Sequence, residues 1–128
     1  MFILFEQLSE KKYSLDKTIE WLRKNQIDAF EELVFFPPLL NLKNSIFSTM
    51  ADHTSEPLFF QQLFSSYRLV ARTIDSDYLF ANEAQVLLLP RSHLPEEILY
   101  FHDSFADLLL RYANSSQSIT YFFLNKIM

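Results

Sequence analysis

The amino-acid sequence predicts an α+β fold in which helices pack on a central antiparallel sheet. Apolar residues recur at helical spacing in the segments that begin at residues 14 and 103. Between them, short β-branched and aromatic runs separated by brief polar turns fill residues 67–101. The chain has 128 residues, of which 49% are hydrophobic, and this is enough for one core. We therefore expect a single domain, 1–128, with a helical part (1–66) followed by a sheet and a helix (67–128).

The N-terminal part is predicted to be mainly helical. Its clearest apolar stripe has members three or four residues apart, namely Leu15, Ile19 and Leu22. Ser14 can cap this helix through its hydroxyl. A second short helix is expected over residues 28–34, stopped before Pro37-Pro38 because proline cannot continue a helix. A third helix is expected over residues 56–64.

The C-terminal part is predicted to form a four-stranded meander and one long helix. The strands are expected at residues 67–74, 77–81, 85–89 and 97–101. Ser104, with Asp107 three residues later, resembles a capping box that opens a helix over residues 103–113. The apolar tail Ile119–Met128 either packs on the chain's own core or covers a partner or dimer interface. A monomer and a homodimer therefore both remain open.

The chain contains no glycine, whereas average usage of about 7% would place roughly nine in a chain of this length. The P-loop, the dinucleotide-binding fingerprint and the nucleophile elbow all require glycine, so these sites are excluded. Turns that need a positive φ must use other residues, and Asn82 is the expected one. The turn at residues 75–77 is expected to be type I, which needs no positive φ.

Cysteine is also missing, which excludes disulfides, thiol catalysis and thiolate metal sites. The apolar start Met1–Phe5 reaches Glu6 at once, unlike a signal peptide. The longest apolar run, Leu33–Leu40, is too short to cross a bilayer. We therefore expect a soluble, cytoplasmic protein that does not bind membranes, metals or cofactors.

The formal net charge of −5 is concentrated in residues 51–107, which contain nine acidic residues and only three arginines. This excess disfavours nucleic-acid binding, which needs clustered basic residues. It suits a basic protein partner, although a solvated acidic surface would have the same composition. The candidate partner-binding residues are Asp75, Asp77, Glu83, Glu96 and Glu97.

Three segments of the chain, residues 67–81, 86–90 and 100–109, resemble the C-terminal half of the SUKH superfamily, the bacterial relatives of the yeast cell-wall-synthesis regulators. The matching features are Val70-Ala71 in a strand, Asp75 and Asp77 in a turn, and Ser104–Leu109 at the start of the last helix. The resemblance implies an α+β domain with a central antiparallel sheet and no catalytic residues. Many bacterial members are immunity proteins, so it also implies a non-enzymatic module that neutralises a toxin, here through an acidic surface.

The alternative is a small ligand-binding domain or enzyme with a pocket near His93, Glu97 and His102. These residues are close in sequence, but they match no recognised metal or catalytic spacing. The alternative therefore rests on proximity along the chain alone.

Overall fold

The computed structural model describes residues 2–40, 42–43, 56–92 and 95–115, and it confirms the α+β class. The helices with defined bounds are α1 (Phe2–Glu10), α2 (Leu15–Lys24), α3 (Glu56–Ser66) and α4 (Phe105–Ser115). The strands are β1 (Ala29–Phe30), β2 (Leu33–Phe35), β3 (Arg68–Thr73), β4 (Tyr78–Ala81), β5 (Val86–Leu89) and β6 (Leu99–Phe101). A 3₁₀ turn, Pro95–Glu97, precedes β6. The tail Ile119–Met128 and His93 lie outside the described residues.

The six strands form one antiparallel sheet in the order β1-β2-β3-β4-β5-β6. The predicted meander corresponds to β3–β6, with each strand matched to within two residues. The expected number of four strands was too low by two.

The helix predicted over residues 28–34 is wrong, because β1, a turn and β2 occupy this segment. Leu33 and Phe35 are buried and flank the half-buried Val34, which is the alternation of a strand. Pairing with β3, in which Leu33 lies opposite Thr73, fixes the extended conformation. A local helix signal based on a possible cap at Asp28 was thus overridden by tertiary pairing.

Helices cover both faces of the sheet. α1, α2 and α4 bury one cluster, whose largest fully buried members are Phe5, Leu8, Leu22, Leu33, Leu79, Phe101, Phe105 and Leu109. α3 and Leu42 bury a second cluster on the opposite face, with Phe60, Leu63, Phe80, Leu87, Leu89 and Ile98. Because both faces are covered, all four residues of β5 are buried. In the described part of the chain, no helix has the length and hydropathy that a membrane span requires.

A β-bulge at Val70 interrupts the pairing of β3 with β4. Leu69 lies opposite Phe80 and Ala71 lies opposite Leu79, so Val70 is an additional residue. Val70 and Ala71 therefore both belong to the cluster under α1, α2 and α4, whereas Leu69 packs on the other face.

Both predicted helix caps are present. The Ser14 hydroxyl accepts a hydrogen bond from the Lys17 N–H at 3.3 Å, and the Ser104 hydroxyl accepts one from the Asp107 N–H at 3.1 Å. The Asp107 carboxylate also accepts a hydrogen bond from the Ser9 hydroxyl. This contact joins α1 to α4 across 98 positions of sequence.

Positive φ angles occur in the described part of the chain at Lys12, Gln26, Glu31, Phe36 and Ser76. Both turn predictions were therefore wrong. Ser76 has a φ of 70° in the turn that was expected to need none. Asn82 is not left-handed, because its side-chain oxygen instead accepts hydrogen bonds from the N–H groups of Ala84 and Gln85, both at 2.9 Å.

We predict that Ser76→Gly stabilises the protein by up to about 1 kcal/mol, because glycine adopts a positive φ without the steric cost that serine carries there. Urea denaturation measures the change. The matched control is Ser65→Gly in α3, where φ is negative, and it should lower the free energy of unfolding by a few tenths to about 1 kcal/mol. A destabilised Ser76→Gly variant would contradict the prediction.

Candidate functional site

Six carboxylates meet at one end of the sheet, which we call the acidic end. They come from the β1–β2 turn, the β3–β4 turn and the β5–β6 connection, and they are Glu31, Glu32, Asp75, Asp77, Glu96 and Glu97. The strand register places these connections side by side, since Leu33 pairs with Thr73, Tyr78 with Leu89, and Leu88 with Leu99. An acidic surface of this kind is formed by topology from residues distant in sequence.

The buried hydroxyl of Thr73 organises the β3–β4 turn. It accepts hydrogen bonds from the N–H groups of Asp75 at 3.2 Å and Asp77 at 3.1 Å, and it donates to Oδ2 of Asp77 at 3.4 Å. The other carboxylate oxygen of Asp77, Oδ1, accepts a hydrogen bond from the Arg91 N–H at 3.0 Å. Asp77 thus ties the β3–β4 turn to the start of the β5–β6 connection.

The remaining candidate residues at this end face solvent. Glu31, Asp75, Glu96 and Glu97 are exposed, and Glu97 accepts a hydrogen bond from the Ser92 hydroxyl at 2.7 Å. Arg72, one residue before the end of β3, and Arg91, at the start of the β5–β6 connection, are the arginines at this end, whereas Arg68 lies at the other end of β3. Six carboxylates against these two arginines leave a formal charge of −4 at the acidic end.

An apolar side chain lies among these carboxylates. Ile74 is 58% exposed, although it directly follows β3 and precedes Asp75. Its N–H donates to the backbone oxygen of Glu32 at 3.0 Å, which holds the β1–β2 turn beside it. The acidic end therefore presents an isoleucine flanked by carboxylates from two turns.

Glu83 lies at the opposite end of the sheet, in the β4–β5 turn. Its two carboxylate oxygens accept hydrogen bonds from the Leu15 N–H at 3.0 and 3.2 Å. This satisfies a free N–H in the first turn of α2 and places a negative charge at the positive end of the helix dipole. The structure thus brings together four of the five predicted residues, and Glu83 stands apart from them.

Sequence reasoning missed Glu31 and Glu32 as members of the acidic end, because it placed them inside a helix. Their position became clear only when β1 paired with β2 around them. The usable signal was the pattern Ala29-Phe30-Glu31-Glu32-Leu33-Val34, in which two acidic residues separate two apolar pairs. That spacing fits a two-residue hairpin turn as well as a helix, but Glu-Glu lacks the Asn, Asp or Gly that usually marks such a turn.

The structure separates Glu97 from His102, two members of the alternative pocket. Glu97 precedes β6 at the acidic end, and His102 follows β6 at the other end, where it is exposed. β6 adds three residues of extended chain between them, roughly 10 Å at about 3.3 Å per residue. His93 lies outside the described residues. Within the described ranges, no group of three or more His, Cys, Asp or Glu side chains could hold a metal ion.

Tyr112 of α4 is buried beneath the acidic end and contacts the β1–β2 turn. Its ring is 4% exposed, and its hydroxyl accepts a hydrogen bond from the Glu32 N–H at 3.4 Å. Burial is the largest effect and raises the pKa of Tyr112; the backbone hydrogen bond from Glu32 lowers it by less, and the nearby charges of Glu32 and Glu31 raise it by smaller amounts still. The phenol therefore stays neutral beneath the carboxylates.

Comparison with known proteins gives no match to a family model, to a curated protein or to a solved structure. Fold and site together define an α+β domain with an apolar cluster on each face of its sheet and carboxylates at one end of that sheet. The resemblance to the SUKH superfamily stays a prediction.

We predict that stability falls above about pH 10 more steeply in the native protein than in Tyr112→Phe. The unfolded-state pKa of tyrosine is about 10, and the folded-state pKa is raised. The stability contribution is thus fully present below pH 10 and is lost as the pH rises through the folded-state pKa. Equal alkaline slopes in denaturation experiments would contradict this.

At neutral pH, we expect Tyr112→Phe to lower the free energy of unfolding by about 1 kcal/mol, because it removes the acceptor of the Glu32 N–H hydrogen bond.

We also predict that Glu83→Ala destabilises the protein by about 1 kcal/mol, since it removes the acceptor for the first turn of α2. Glu96→Ala is the matched control, because Glu96 is exposed in the 3₁₀ turn, and it should change the free energy of unfolding by less than about 0.5 kcal/mol. Thermal and urea denaturation give both values. Equal stability of the two variants would show that Glu83 does not cap α2.

Proposed function

We propose that this chain is a non-enzymatic protein-binding module whose acidic end binds a basic protein partner. The observation that carries the proposal is the exposed Ile74, placed among the carboxylates of the acidic end. Binding energy at protein interfaces concentrates in a few central side chains surrounded by a polar rim. Ile74 supplies such a centre, and the exposed Glu31, Asp75 and Glu96 supply the rim.

Charge at the rim favours a basic partner. Carboxylates around an apolar contact speed the encounter with a positively charged surface and penalise an acidic one. Asp77 contributes indirectly, because its hydrogen bonds to Thr73 and to the Arg91 N–H hold two of the three connections in place. The partner therefore meets a surface that is already formed.

The class of partner comes from the sequence resemblance. Residues 67–81, 86–90 and 100–109 resemble the C-terminal half of the SUKH domain, and many bacterial members of that superfamily are immunity proteins that neutralise toxins. We accordingly propose that the partner is a basic toxin domain, such as a nuclease, and that the chain acts as its immunity protein in the cytoplasm. The missing glycine supports a binding role, because several glycine-dependent phosphate and nucleophile sites are excluded.

The direct experiment is co-expression with the candidate toxin domains encoded in the genes that neighbour this one. We expect the native protein to restore growth and to co-purify with the toxin. The double variant Asp75→Lys/Glu96→Lys should lose both effects, with at least a tenfold weaker affinity at low salt. The matched control is Glu6→Lys/Glu10→Lys, which makes the same change of charge on the exposed surface of α1 and should behave as native.

Two outcomes would overturn the proposal. One is full protection by the Asp75→Lys/Glu96→Lys variant, and the other is the absence of any protection or complex. Binding should also weaken as the salt concentration rises, because exposed charges are screened over about 10 Å at 0.1 M. Ile74→Ala should weaken binding of the partner, whereas the control Ile3→Ala, at an isoleucine on α1 that is 67% exposed against 58% for Ile74, should not.

A further inference from the structure

A groove lies on the outer surface of α2, and its lining is aromatic and basic, unlike that of the acidic end. It has a volume of about 240 Å³ and is lined by Tyr13, Lys17, Glu20, Trp21 and Lys24. We call it the α2 groove. Lys17, Trp21 and Lys24 are spaced four and three residues apart, so they share one face of the helix. That face adjoins the buried stripe of Leu15, Ile19 and Leu22.

Two aromatic rings form the apolar part of the α2 groove. Trp21 is half-buried and packs against the core cluster beneath α2, which holds its ring in place. Its backbone oxygen accepts hydrogen bonds from both the N–H and the side-chain amide of Asn25, at 3.1 and 2.8 Å. Tyr13 is 38% exposed, and the Lys11 ammonium lies 5.6 Å from its ring centroid. The Trp21 ring is therefore positioned before any ligand arrives, and Tyr13 adds an exposed ring beside it.

The charge around the α2 groove is opposite to that of the whole chain. Residues 10–24 carry five basic and three acidic side chains, although the formal net charge of the protein is −5. One of the three acids, Asp16, is paired with Arg68 of β3. Lys17 and Lys24 are exposed on either side of Trp21. An anionic ligand would thus find two ammonium groups with an aromatic surface between them, and Glu20 is the single carboxylate among the lining residues.

We propose that the α2 groove binds an acidic peptide segment that carries an apolar side chain. The apolar side chain would contact Trp21 and Tyr13, while carboxylates of the segment pair with Lys17 and Lys24. The volume is below the roughly 300–1,000 Å³ of small-molecule pockets, so it suits one side chain of a larger partner. A nucleic acid is disfavoured, because two exposed lysines beside a groove of this size do not form the clustered Lys/Arg patch that a phosphate backbone requires.

This inference is independent of the proposed function. The groove lies on α2, requires the opposite charge in its partner and uses none of the residues of the acidic end. Variants of Asp75 and Glu96 should therefore leave peptide binding unchanged, and failure of one proposal says nothing about the other.

Trp21 is the only tryptophan in the chain, so its fluorescence reports directly on the α2 groove. The probe is a dodecapeptide of Asp and Glu with two leucines, titrated at low salt. We expect a saturable change in Trp21 emission that weakens as salt is added. The same peptide with Asn and Gln in place of its acids should bind at least tenfold more weakly.

Two matched variants separate the groove from overall charge. Lys17→Glu should weaken peptide binding about three- to tenfold, whereas Arg91→Glu, the same charge change at the acidic end, should leave it within about twofold. Circular dichroism checks that both variants are folded. The proposal is overturned if the acidic peptide leaves Trp21 emission unchanged, if Lys17→Glu and Arg91→Glu act alike, or if oligo-dT binds and the peptide does not.

Discussion

Burial of the sheet on both faces is the constraint on which the rest of the structure depends. β4 and β5 lie near the middle of the sheet, with Leu79 and Leu88 under one helical layer and Phe80 and Leu87 under the other. A strand buried in this way cannot place charged side chains along its length at an acceptable desolvation cost. The carboxylates therefore lie in the connections between strands, and the order of the antiparallel strands determines which connections lie at the same end of the sheet.

The acidic end follows from that arrangement. In an antiparallel meander, alternate turns lie at the same end of the sheet, so β1–β2, β3–β4 and β5–β6 share one end while β4–β5 falls at the other. Glu83 belongs to that other end, where it caps α2, and the remaining acids of the candidate site converge. The Thr73 hydroxyl and the Asp77 carboxylate fix the turns without help from glycine. The same strand order therefore accounts both for the buried central strands and for the carboxylates gathered at the acidic end.

The sequence predicted the elements with strong local patterns. Ser14, Ser104 and the strands from β3 to β6 were found because caps, helical spacing and β-branched runs act over a few residues. The hairpin of β1 and β2 was missed because the strands are very short, two and three residues, and because β2 is held in the sheet by pairing with the distant β3. The acidic end was half predicted, since Asp75, Asp77, Glu96 and Glu97 were named but Glu31 and Glu32 depend on register. The α2 groove was not predicted, because Tyr13 and Trp21 define it only once α2 is packed on the core.

The packing of α1 against α4 has a consequence for how the chain folds. Each strand pairs with its neighbour in sequence, so most of the sheet forms through short-range contacts. The contact between Ser9 and Asp107 closes a loop of 98 positions, which carries the larger entropic cost. The contact between α1 and α4 can form only once residues 105–115 have been synthesised. During synthesis, the first helix of this protein therefore completes its packing only when the last described helix is present.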